Sequence, residues 1–446
     1  MNPLPQDLRH AVVVGLGKTG LSAVRYLRGK GVAVSVTDSR AEPPGLAELR
    51  AFDPTVPVRC GGFDPALLAE AQLVILSPGV AAQGEFFDAA RARGLPVVGD
   101  IELFARAASA PIAGITGTNG KSTVTTLLGR MAARAGRRVH TGGNLGEPAL
   151  SLLDPQTQLY VLELSSYQLE STDSLQLAAA AVLNVSPDHL DRYADTAQYA
   201  AAKARIYRRC GTAIVNADDA RVRAMVRTDQ PQLRFSLHPG AAVEFGLIEQ
   251  GDELFLARNG QALLAASELK IPGRHNLANA LAALALGEAL GLPTPALLAE
   301  LREFTGLSHR MQWVADVAGV HYIDDSKGTN VGATIAAVAG LPGPLLLIAG
   351  GDGKGQDFAP LRDALQAKVR HALLIGRDAR LLGEALAGIC PLEYCASLEA
   401  AVLAAARVAR RGDTVLLSPA CASLDMFRDY AHRGAVFAAA VRGLSA

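Results

Sequence analysis

The motif with the clearest chemistry is Gly-Thr-Asn-Gly-Lys-Ser-Thr at residues 117–123. An apolar run, Ile112–Thr116, precedes it, and a helical pattern follows. Backbone N–H groups of such a loop can surround phosphates, its lysine can reach the outer phosphates, and its serine hydroxyl can ligate Mg²⁺. Ile115 stands where the strict P-loop pattern has glycine, but strand, loop and helix keep their order. We therefore predict a nucleotide-phosphate loop formed by Gly117, Thr118, Asn119, Gly120, Lys121, Ser122 and Thr123.

A second glycine-rich loop, Gly15-Leu-Gly-Lys-Thr-Gly20, lies near the N-terminus between an apolar run and a helical pattern. Asp38 follows the next strand pattern, 18 residues after Gly20, where dinucleotide-binding folds place a ribose-binding carboxylate. Three interpretations stay open. The loop could bind NAD, it could bind another nucleotide such as UDP, or it could serve tight helix–strand packing with Asp38 as a turn residue.

Polar side chains also follow two further strand patterns. Glu163 lies at the end of one, and Asp188-His189-Leu-Asp191 follows another. Ligands bind at the carboxyl ends of parallel strands, and carboxylate oxygens suit Mg²⁺. His189 could equally be a surface or capping histidine, and the two aspartates could be acids at a helix start.

Three more polar loops follow apolar runs in the last third of the chain, at residues 324–330, 350–354 and 418–423. Strand ends of a parallel sheet gather at one edge, so these loops are predicted to line one site. Cys421 lies in the third loop without a neighbouring histidine, and we interpret it as a packed thiol rather than a nucleophile.

The elements that must position these loops alternate between short apolar runs and amphipathic stretches. This rhythm predicts parallel α/β sheets covered by helices. It restarts twice, which indicates three domains at 1–98, 99–306 and 307–446: a Rossmann-like domain, a P-loop-type α/β domain with a small β appendage, and a second Rossmann-like domain. Hairpin patterns at 243–264 predict the appendage.

Composition narrows the classes of function. Lys+Arg and Asp+Glu are both 43, and aromatic residues are 5%, which disfavours nucleic-acid binding. The five cysteines include no Cys-x-x-Cys pair, which indicates reduced thiols rather than disulfides or zinc. The start MNPLPQDLRH has no long apolar core and no apolar run approaches the length of a membrane span, so we expect neither secretion nor membrane insertion.

Taken together, the motifs resemble those of the Mur ligases, over essentially the whole chain. Further matching motifs are Glu163-Leu-Ser-Ser-Tyr-Gln-Leu-Glu, Asn184-Val-Ser-Pro-Asp-His-Leu-Asp-Arg, Gly273-Arg-His-Asn and His309-Arg310. Three more are similar to the D-glutamate-adding branch: Gly142-Gly-Asn-Leu-Gly, Asp325-Ser-Lys-Gly-Thr-Asn and Ser418-Pro-Ala-Cys-Ala-Ser-Leu-Asp. The departures are Tyr167 and Tyr430 where Phe is frequent, Gly328 for Ala, and Gln312 for Glu.

The resemblance implies an ATP-dependent ligase of peptidoglycan synthesis that joins D-glutamate to UDP-N-acetylmuramoyl-L-alanine. It implies ATP and two Mg²⁺ ions, no NAD, a monomer, and a cytoplasmic location. Two alternatives stay open: another Mur-type or folylpolyglutamate-synthetase-like ligase, or an NAD(P)-dependent dehydrogenase.

The resemblance also assigns roles to residues. The UDP substrate is expected at Gly15, Gly17, Lys18, Thr19, Asp38, Ser39 and Arg40. The metals are expected beside Asn144, Glu163 and His189, with Ser122 on the magnesium of ATP. Adenine, ribose or phosphate is expected at Asn276, Asn279, Arg310 and Asp325. D-Glutamate is expected at Lys327, Thr329, Lys354, Ser423 and Leu424.

Lys203 lies 14 residues after His189, in the segment that Mur ligases place beside their metals. The sequence by itself favours a lysine on a helix surface. The resemblance implies a carbamylated lysine, whose anionic oxygens would support a metal that a lysine ammonium would repel.

Overall fold

The computed structural model describes residues 7–271 and 273–444. It contains three successive α/β units, each built on its own sheet, which confirms the predicted fold class. The domain limits near residues 98 and 306 remain our proposal; the first sheet extends to Gly99.

The first sheet is entirely parallel, with strand order β3-β2-β1-β4-β5. Apolar runs such as Leu-Val-Ile-Leu in β4 are buried because helices cover both faces. The strands are β1 (His10–Val14), β2 (Ala33–Asp38), β3 (Val58–Cys60), β4 (Leu73–Leu76) and β5 (Val97–Gly99), and the helices are α1 (Lys18–Gly29), α2 (Leu46–Phe52), α3 (Glu85–Ala92) and the connecting α4 (Asp100–Ala107).

The second sheet has nine strands in the order β14-β13-β12-β11-β10-β9-β6-β8-β7. The predicted β appendage forms as three strands, and these continue the edge of this sheet, because β12 pairs with β11. The strands are β6 (Ile112–Thr116), β7 (Val139–Gly143), β8 (Leu159–Glu163), β9 (Leu177–Val182), β10 (Cys210–Asn216), β11 (Gln232–Phe235), β12 (Phe245–Gln250), β13 (Glu253–Arg258) and β14 (Gln261–Ala265). The helices are α5 (Lys121–Arg134), α6 (Ser166–Glu170), α7 (Thr196–Ala204), α8 (Ala220–Arg223), α9 (Arg274–Ala289) and α10 (Thr294–Glu303).

The third sheet has the order β15-β16-β20-β17-β18-β19, and only β15 is antiparallel to its neighbour. The strands are β15 (Gln312–Val317), β16 (Val320–Asp324), β17 (Leu345–Gly350), β18 (Val369–Ile375), β19 (Leu392–Tyr394) and β20 (Thr414–Leu417). The helices are α11 (Val331–Gly340), α12 (Leu361–Gln366), α13 (Ala379–Leu386), α14 (Leu398–Val408) and α15 (Tyr430–Gly443).

Within the described residues, the buried apolar clusters connect the first unit with the second but not with the third. One continuous cluster of buried side chains runs from the first sheet through α4 to the second sheet, and it includes the edge-to-face pair of Phe104 and Tyr160 at 5.0 Å between ring centroids. The buried clusters of the third unit contain only its own residues, within the part of the chain that is described. The first two units therefore share a core, and the third is attached differently.

Candidate active site

The predicted phosphate loop lies between β6 and α5, as expected. Gly117 and Gly120 have φ values of 142° and 86°, a backbone region that glycine adopts without steric cost. A Cβ atom at Gly120 would lie 2.3 Å from Asn279 Oδ1, so the loop also needs glycine there for space. Lys121 Nζ donates to the carbonyls of Gly117 at 3.0 Å and Thr118 at 2.8 Å. The loop is thus preformed, and its lysine lies over it.

Glu163 lies at the centre of a hydrogen-bonded cluster beside this loop. Its side chain is buried; Oε2 accepts from Ser122 Oγ at 2.6 Å, and Oε1 accepts from Asn144 Nδ2 at 2.9 Å. Burial raises the pKa of Glu163, but Lys121 and these hydrogen bonds outweigh it, and the net shift is downward. The ionised carboxylate brings three of the predicted metal-site residues together.

His189 lies close to this cluster in a left-handed backbone conformation, with φ 55°. Its Nδ1 is 2.8 Å from the hydroxyl of Tyr167. Burial lowers the pKa of His189 to about 4, despite the neighbouring Asp188. The imidazole is therefore neutral at pH 7, which is the form that ligates metals.

Lys203 is 1% exposed, so the prediction of a surface lysine is wrong. The helix α7 contacts α6 and α8, and its Lys203 side chain is buried. Nζ lies 3.5 Å from Thr116 Oγ1 and 4.3 Å from the centroid of the Tyr199 ring, and no carboxylate of the described residues pairs with it. Burial and the nearby Lys121 lower the pKa of Lys203 well below its usual value.

The polar side chains beside the phosphate loop suit a Mg²⁺ ion that also has phosphate oxygens and water as ligands. The described residues contain no group of three His, Cys, Asp or Glu side chains that could hold a metal by themselves. An ionised carboxylate, a hydroxyl and a neutral imidazole nevertheless lie beside the phosphate loop. Mg²⁺ bound by one carboxylate, phosphate oxygens and water matches this arrangement.

At the first sheet, the N-terminal loop is shaped by packing. Gly15 has φ 93°, and a Cβ atom at Gly20 would lie 1.9 Å from the Gly15 carbonyl oxygen. Asp38 is buried, and its carboxylate accepts from the Leu16 N–H at 2.7 Å and from Arg40 Nη2 at 2.7 Å. In this structure Asp38 thus holds the loop. Lys18, Ser39 and Arg40 are exposed next to it.

The three polar loops of the third unit meet, as their positions predicted. Ser418 Oγ donates to Asp325 Oδ2 at 2.8 Å, and the Ala420 N–H donates to the Gly328 carbonyl at 3.0 Å. Asp352 and Ala422 form an isolated antiparallel bridge. Cys421 is buried, and burial raises its thiol pKa to about 12, in agreement with a packed thiol.

The residues assigned to D-glutamate lie around this junction. Lys327 Nζ is 3.6 Å from the centroid of the Tyr430 ring, and burial together with Arg310 lowers the pKa of Lys327 to about 7. Ser423 is buried, whereas Leu424 is 72% exposed. Thr329 lies in the first of the three loops.

Arg310, Lys354 and Asn330 of the third unit make polar contacts with the phosphate loop and its neighbours. Arg310 Nη2 donates to Ser122 Oγ at 2.9 Å, and Lys354 Nζ donates to Asp188 Oδ1 at 2.6 Å. The contact with Asn119 is a reciprocal amide pair: Asn330 Nδ2 donates to Asn119 Oδ1 at 3.1 Å, and Asn119 Nδ2 donates to Asn330 Oδ1 at 3.4 Å. The nucleotide loop and the three strand-end loops therefore form one site.

A cavity of about 690 Å³ opens beside this junction. Asn276 and Asn279 of α9 are buried on one side of it, and Asn279 Nδ2 donates to Asn276 Oδ1 at 3.1 Å. Arg310 and Asp325 contribute the other side. Burial raises the pKa of Asp325 to about 7, despite the hydrogen bond from Ser418. All four residues that were predicted to contact adenine, ribose or phosphate line one space.

Two groups in the site were not predicted from the sequence. Arg433 of α15 is completely buried, and it donates to Ser326 Oγ at 3.0 Å, to the Ser326 carbonyl at 2.9 Å and to the Cys421 carbonyl at 3.1 Å. The only signal for it is a charged residue within a mostly apolar helix. Asn330 belongs to one of the sequence motifs, but no role was predicted for it. Its partner Asn119 lies 211 residues away in the sequence.

Family models match all three units. The N-terminal domain model of Mur ligases of the MurD-like type matches residues 9–99, the Mur ligase middle domain matches 115–287, and the Mur ligase glutamate ligase domain matches 309–421. The chain belongs to the Mur ligase family. The family predicted from the motifs is thereby confirmed.

Curated Mur ligases are similar to this chain over nearly its whole length. The UDP-N-acetylmuramoylalanine–D-glutamate ligase of Nitrosococcus oceani is 55% identical over 441 residues, covering 98% of this chain and 97% of the relative. The ligase of the same name from Pseudomonas savastanoi is 53% identical, with 98% of both chains covered. That from Methylobacillus flagellatus is 52% identical, covering 98% of this chain and 97% of the relative.

Solved structures of more distant Mur-type ligases share the fold. The UDP-N-acetylmuramate-alanine ligase of Thermotoga maritima gives a TM-score of 0.63 at 19% identity, covering 97% of this chain and 99% of that chain. A pseudomurein peptide ligase type C of Methanothermus fervidus gives 0.60 at 18% identity, covering 92% and 96%.

Proposed function

We propose that this Mur ligase joins D-glutamate to UDP-N-acetylmuramoyl-L-alanine, with hydrolysis of ATP to ADP and phosphate, in peptidoglycan synthesis. The observation that carries the proposal is the junction of two sites. The phosphate loop at residues 117–123 contacts Arg310 and Asn330 of the third unit, and Lys354 of the third unit pairs with Asp188 next to that loop. Relatives at 52–55% identity bear the name of this ligase.

The reaction needs such a junction because a carboxylate is a poor electrophile. ATP transfers its γ-phosphoryl group to the substrate carboxylate, which gives an acyl phosphate and ADP. The amine of D-glutamate then attacks the carbonyl carbon, the amide bond forms, and phosphate leaves. Catalysis consists mainly of positioning the reactants and stabilising charge.

The central unit supplies the phosphoryl-transfer side. Lys121 and the backbone of the loop bind the ATP phosphates, and Ser122, Asn144, Glu163 and His189 would hold the two Mg²⁺ ions. Magnesium screens the phosphate charges when it is bound. Asn276, Asn279, Arg310 and Asp325 bind the remainder of the nucleotide in the cavity of about 690 Å³.

Lys203 is carbamylated in this proposal. Its deprotonated amine attacks CO₂, so that an N–C bond forms, an electron pair moves to oxygen, and one proton is released. Its burial, the absence of a paired carboxylate among the described residues and its lowered pKa all favour the neutral amine that this step requires. The carbamate would supply anionic oxygens that could help to hold a metal ion.

The outer units hold the two substrates that are joined. The first unit binds UDP at Gly15, Gly17, Lys18, Thr19, Asp38, Ser39 and Arg40. In the third unit, Lys327, Thr329, Lys354, Ser423 and Leu424 place D-glutamate, whose two carboxylates suit a pair of lysines. No NAD takes part, and the protein acts as a cytoplasmic monomer. Among the described residues, no helix has the length and apolarity to cross a membrane.

The direct test is release of ADP and phosphate by the purified protein. We expect release only when UDP-N-acetylmuramoyl-L-alanine, D-glutamate, ATP and Mg²⁺ are all present, together with the amide product in a mass spectrum. Lys121→Ala should abolish turnover while calorimetry shows nearly unchanged affinity for the UDP substrate. Tight NADH binding without amide product would refute the ligase and support a dehydrogenase instead.

A further inference from the structure

The far wall of the nucleotide cavity is formed by the segment that joins the second and third units. His309 and Met311 in this segment have φ values of 62° and 50°, so its backbone is in the left-handed region at two non-glycine positions. Between them, Arg310 turns toward Ser122 of the phosphate loop. Immediately after it, β15 begins with Gln312.

Trp313 of β15 lines this cavity together with Gln312. Directly after Trp313, a register shift interrupts the regular pairing of β15 with β16, and such irregularities bend the strand. The local geometry thus places an indole ring at the cavity wall.

The indole ring of Trp313 is exposed to solvent, and its N–H group already donates a hydrogen bond. Trp313 is 61% exposed, and its Nε1 donates to Asp316 Oδ1 at 3.1 Å. A large exposed aromatic surface at a cavity wall costs solvation free energy unless a ligand covers it. With the N–H group engaged, the ring is left to interact through its apolar faces, which suits a flat aromatic ligand.

The position of the ring relative to the phosphate loop identifies that ligand. Asn119, Gly120 and Thr123 line the cavity at the loop, where the phosphates bind, and Phe235 and Ile271 add apolar surface from the second unit. The base of a nucleotide held by its phosphates must therefore extend into this space. Trp313 is the aromatic wall that the third unit contributes.

We propose that Trp313 stacks on the adenine of ATP, so that the base is held between the second and third units while the phosphates are held by the second alone. The proposal rests on the proposed use of ATP. It makes Trp313 a residue that determines nucleotide affinity, and the joining segment a part of the nucleotide site.

Fluorescence tests this directly, because Trp313 is the chain's one tryptophan. We expect ATP and ADP to quench the emission of the full-length protein, and inorganic tripolyphosphate to leave it unchanged while calorimetry shows that tripolyphosphate binds. Equal quenching by tripolyphosphate would mean that the signal reports movement of the third unit rather than base stacking, and it would overturn the proposal.

Kinetics give the second test. When an aromatic side chain that stacks on a base is replaced by alanine, the dissociation constant rises about tenfold or more. Trp313→Ala should therefore raise the KM for ATP about tenfold, with little change in kcat or in the KM for D-glutamate, and Trp313→Phe should recover most of the loss. Tyr394→Ala, which removes another exposed ring of the third unit, is the matched control.

The possible failures are distinguishable. An unchanged KM for ATP in Trp313→Ala, or unchanged emission when calorimetry shows ATP bound, overturns the stacking role and leaves the ligase intact. If ATP itself does not bind, the proposed function fails and the stacking role fails with it.

Discussion

Lys203 lies in an environment that is unusual for a lysine, because its side chain is buried. A buried lysine without a carboxylate partner is costly as an ammonium ion. Lys203→Ala should therefore lower kcat by about 10–100-fold, because it removes the proposed carbamate that would support the metal. Acetate should restore part of the activity, since a small carboxylate can occupy the same space.

Lys203→Arg is the matched variant, because it keeps a cation and cannot be carbamylated. We expect it to be as inactive as the alanine variant. ¹³C NMR of the native protein with ¹³CO₂ should show a carbamate resonance that both variants lack. Near-normal turnover by either variant would disprove the carbamate.

Lys354 is predicted to bind a carboxylate of D-glutamate. Its ammonium group pairs with Asp188 in this structure, so it is preorganised to receive a carboxylate. Lys354→Ala should raise the KM for D-glutamate roughly 10–100-fold and that for ATP much less, because hydrogen bonds to charged groups are strong. Initial-rate kinetics check this, with the exposed Lys30→Ala as control. Equal losses for the two substrates would indicate a phosphate-binding role.

Side chains buried by tertiary packing were the least predictable from sequence. The helix α7, with the sequence Thr-Ala-Gln-Tyr-Ala-Ala-Ala-Lys-Ala, has small residues on every side, so its pattern does not show that Lys203 faces inward. Asp38 was predicted to bind ribose, and its hydrogen bond to Leu16 N–H depends on how the loop folds back. In contrast, the strand, glycine loop and helix at 112–134 could be predicted because the residue types of that segment alone indicate them.

At the scale of elements, α15 supports the strand-end loops of the third unit. Arg433 on this helix ties residue 326 to residues 421 and 422 through one guanidinium group. Burial lowers its pKa to about 10, so it stays charged at pH 7. Arg433→Met should destabilise the protein by about 2–4 kcal/mol, because buried carbonyl groups lose their donors.

The same change should raise the KM for D-glutamate, since both loops lose their common support. Arg433→Lys should recover only part of the loss, because an ammonium group cannot reproduce the planar arrangement of donors. Denaturant unfolding and kinetics measure the two effects, and Arg442→Met on the exposed side of α15 is the control. Normal stability and KM in Arg433→Met would exclude a supporting role.

Most strands were predictable because buried parallel strands are short apolar runs. The apolar run at 112–116, predicted before the phosphate loop, is β6, and the hairpin patterns at 243–264 correspond to β12, β13 and β14. Edge strands such as β3 and β19 are harder to predict, because half-exposed short segments carry little apolar signal.

At the scale of the whole molecule, the third unit docks through polar contacts. Asn330 caps α11 through its Oδ1, while its amide nitrogen donates to Asn119 and, at 3.3 Å, to Asp188 Oδ2. Asn330→Asp keeps the cap but places a second carboxylate beside Asp188, so it should shift the molecule toward an open form.

Small-angle X-ray scattering of the ligand-free variant should then show a larger radius of gyration, and kcat/KM for ATP should fall. Asn330→Ser keeps a cap without the added charge and should open the molecule less. An unchanged scattering profile in Asn330→Asp would show that this contact does not hold the units together.

The shared core of the first two units predicts how the molecule comes apart. Because one apolar cluster crosses their boundary and the third unit has its own, calorimetry of the ligand-free protein should show two transitions, the larger from the first two units melting together. A single two-state transition would contradict this. A molecule whose third unit alone had melted would keep the proposed UDP site, and it would then sequester the precursor without extending it.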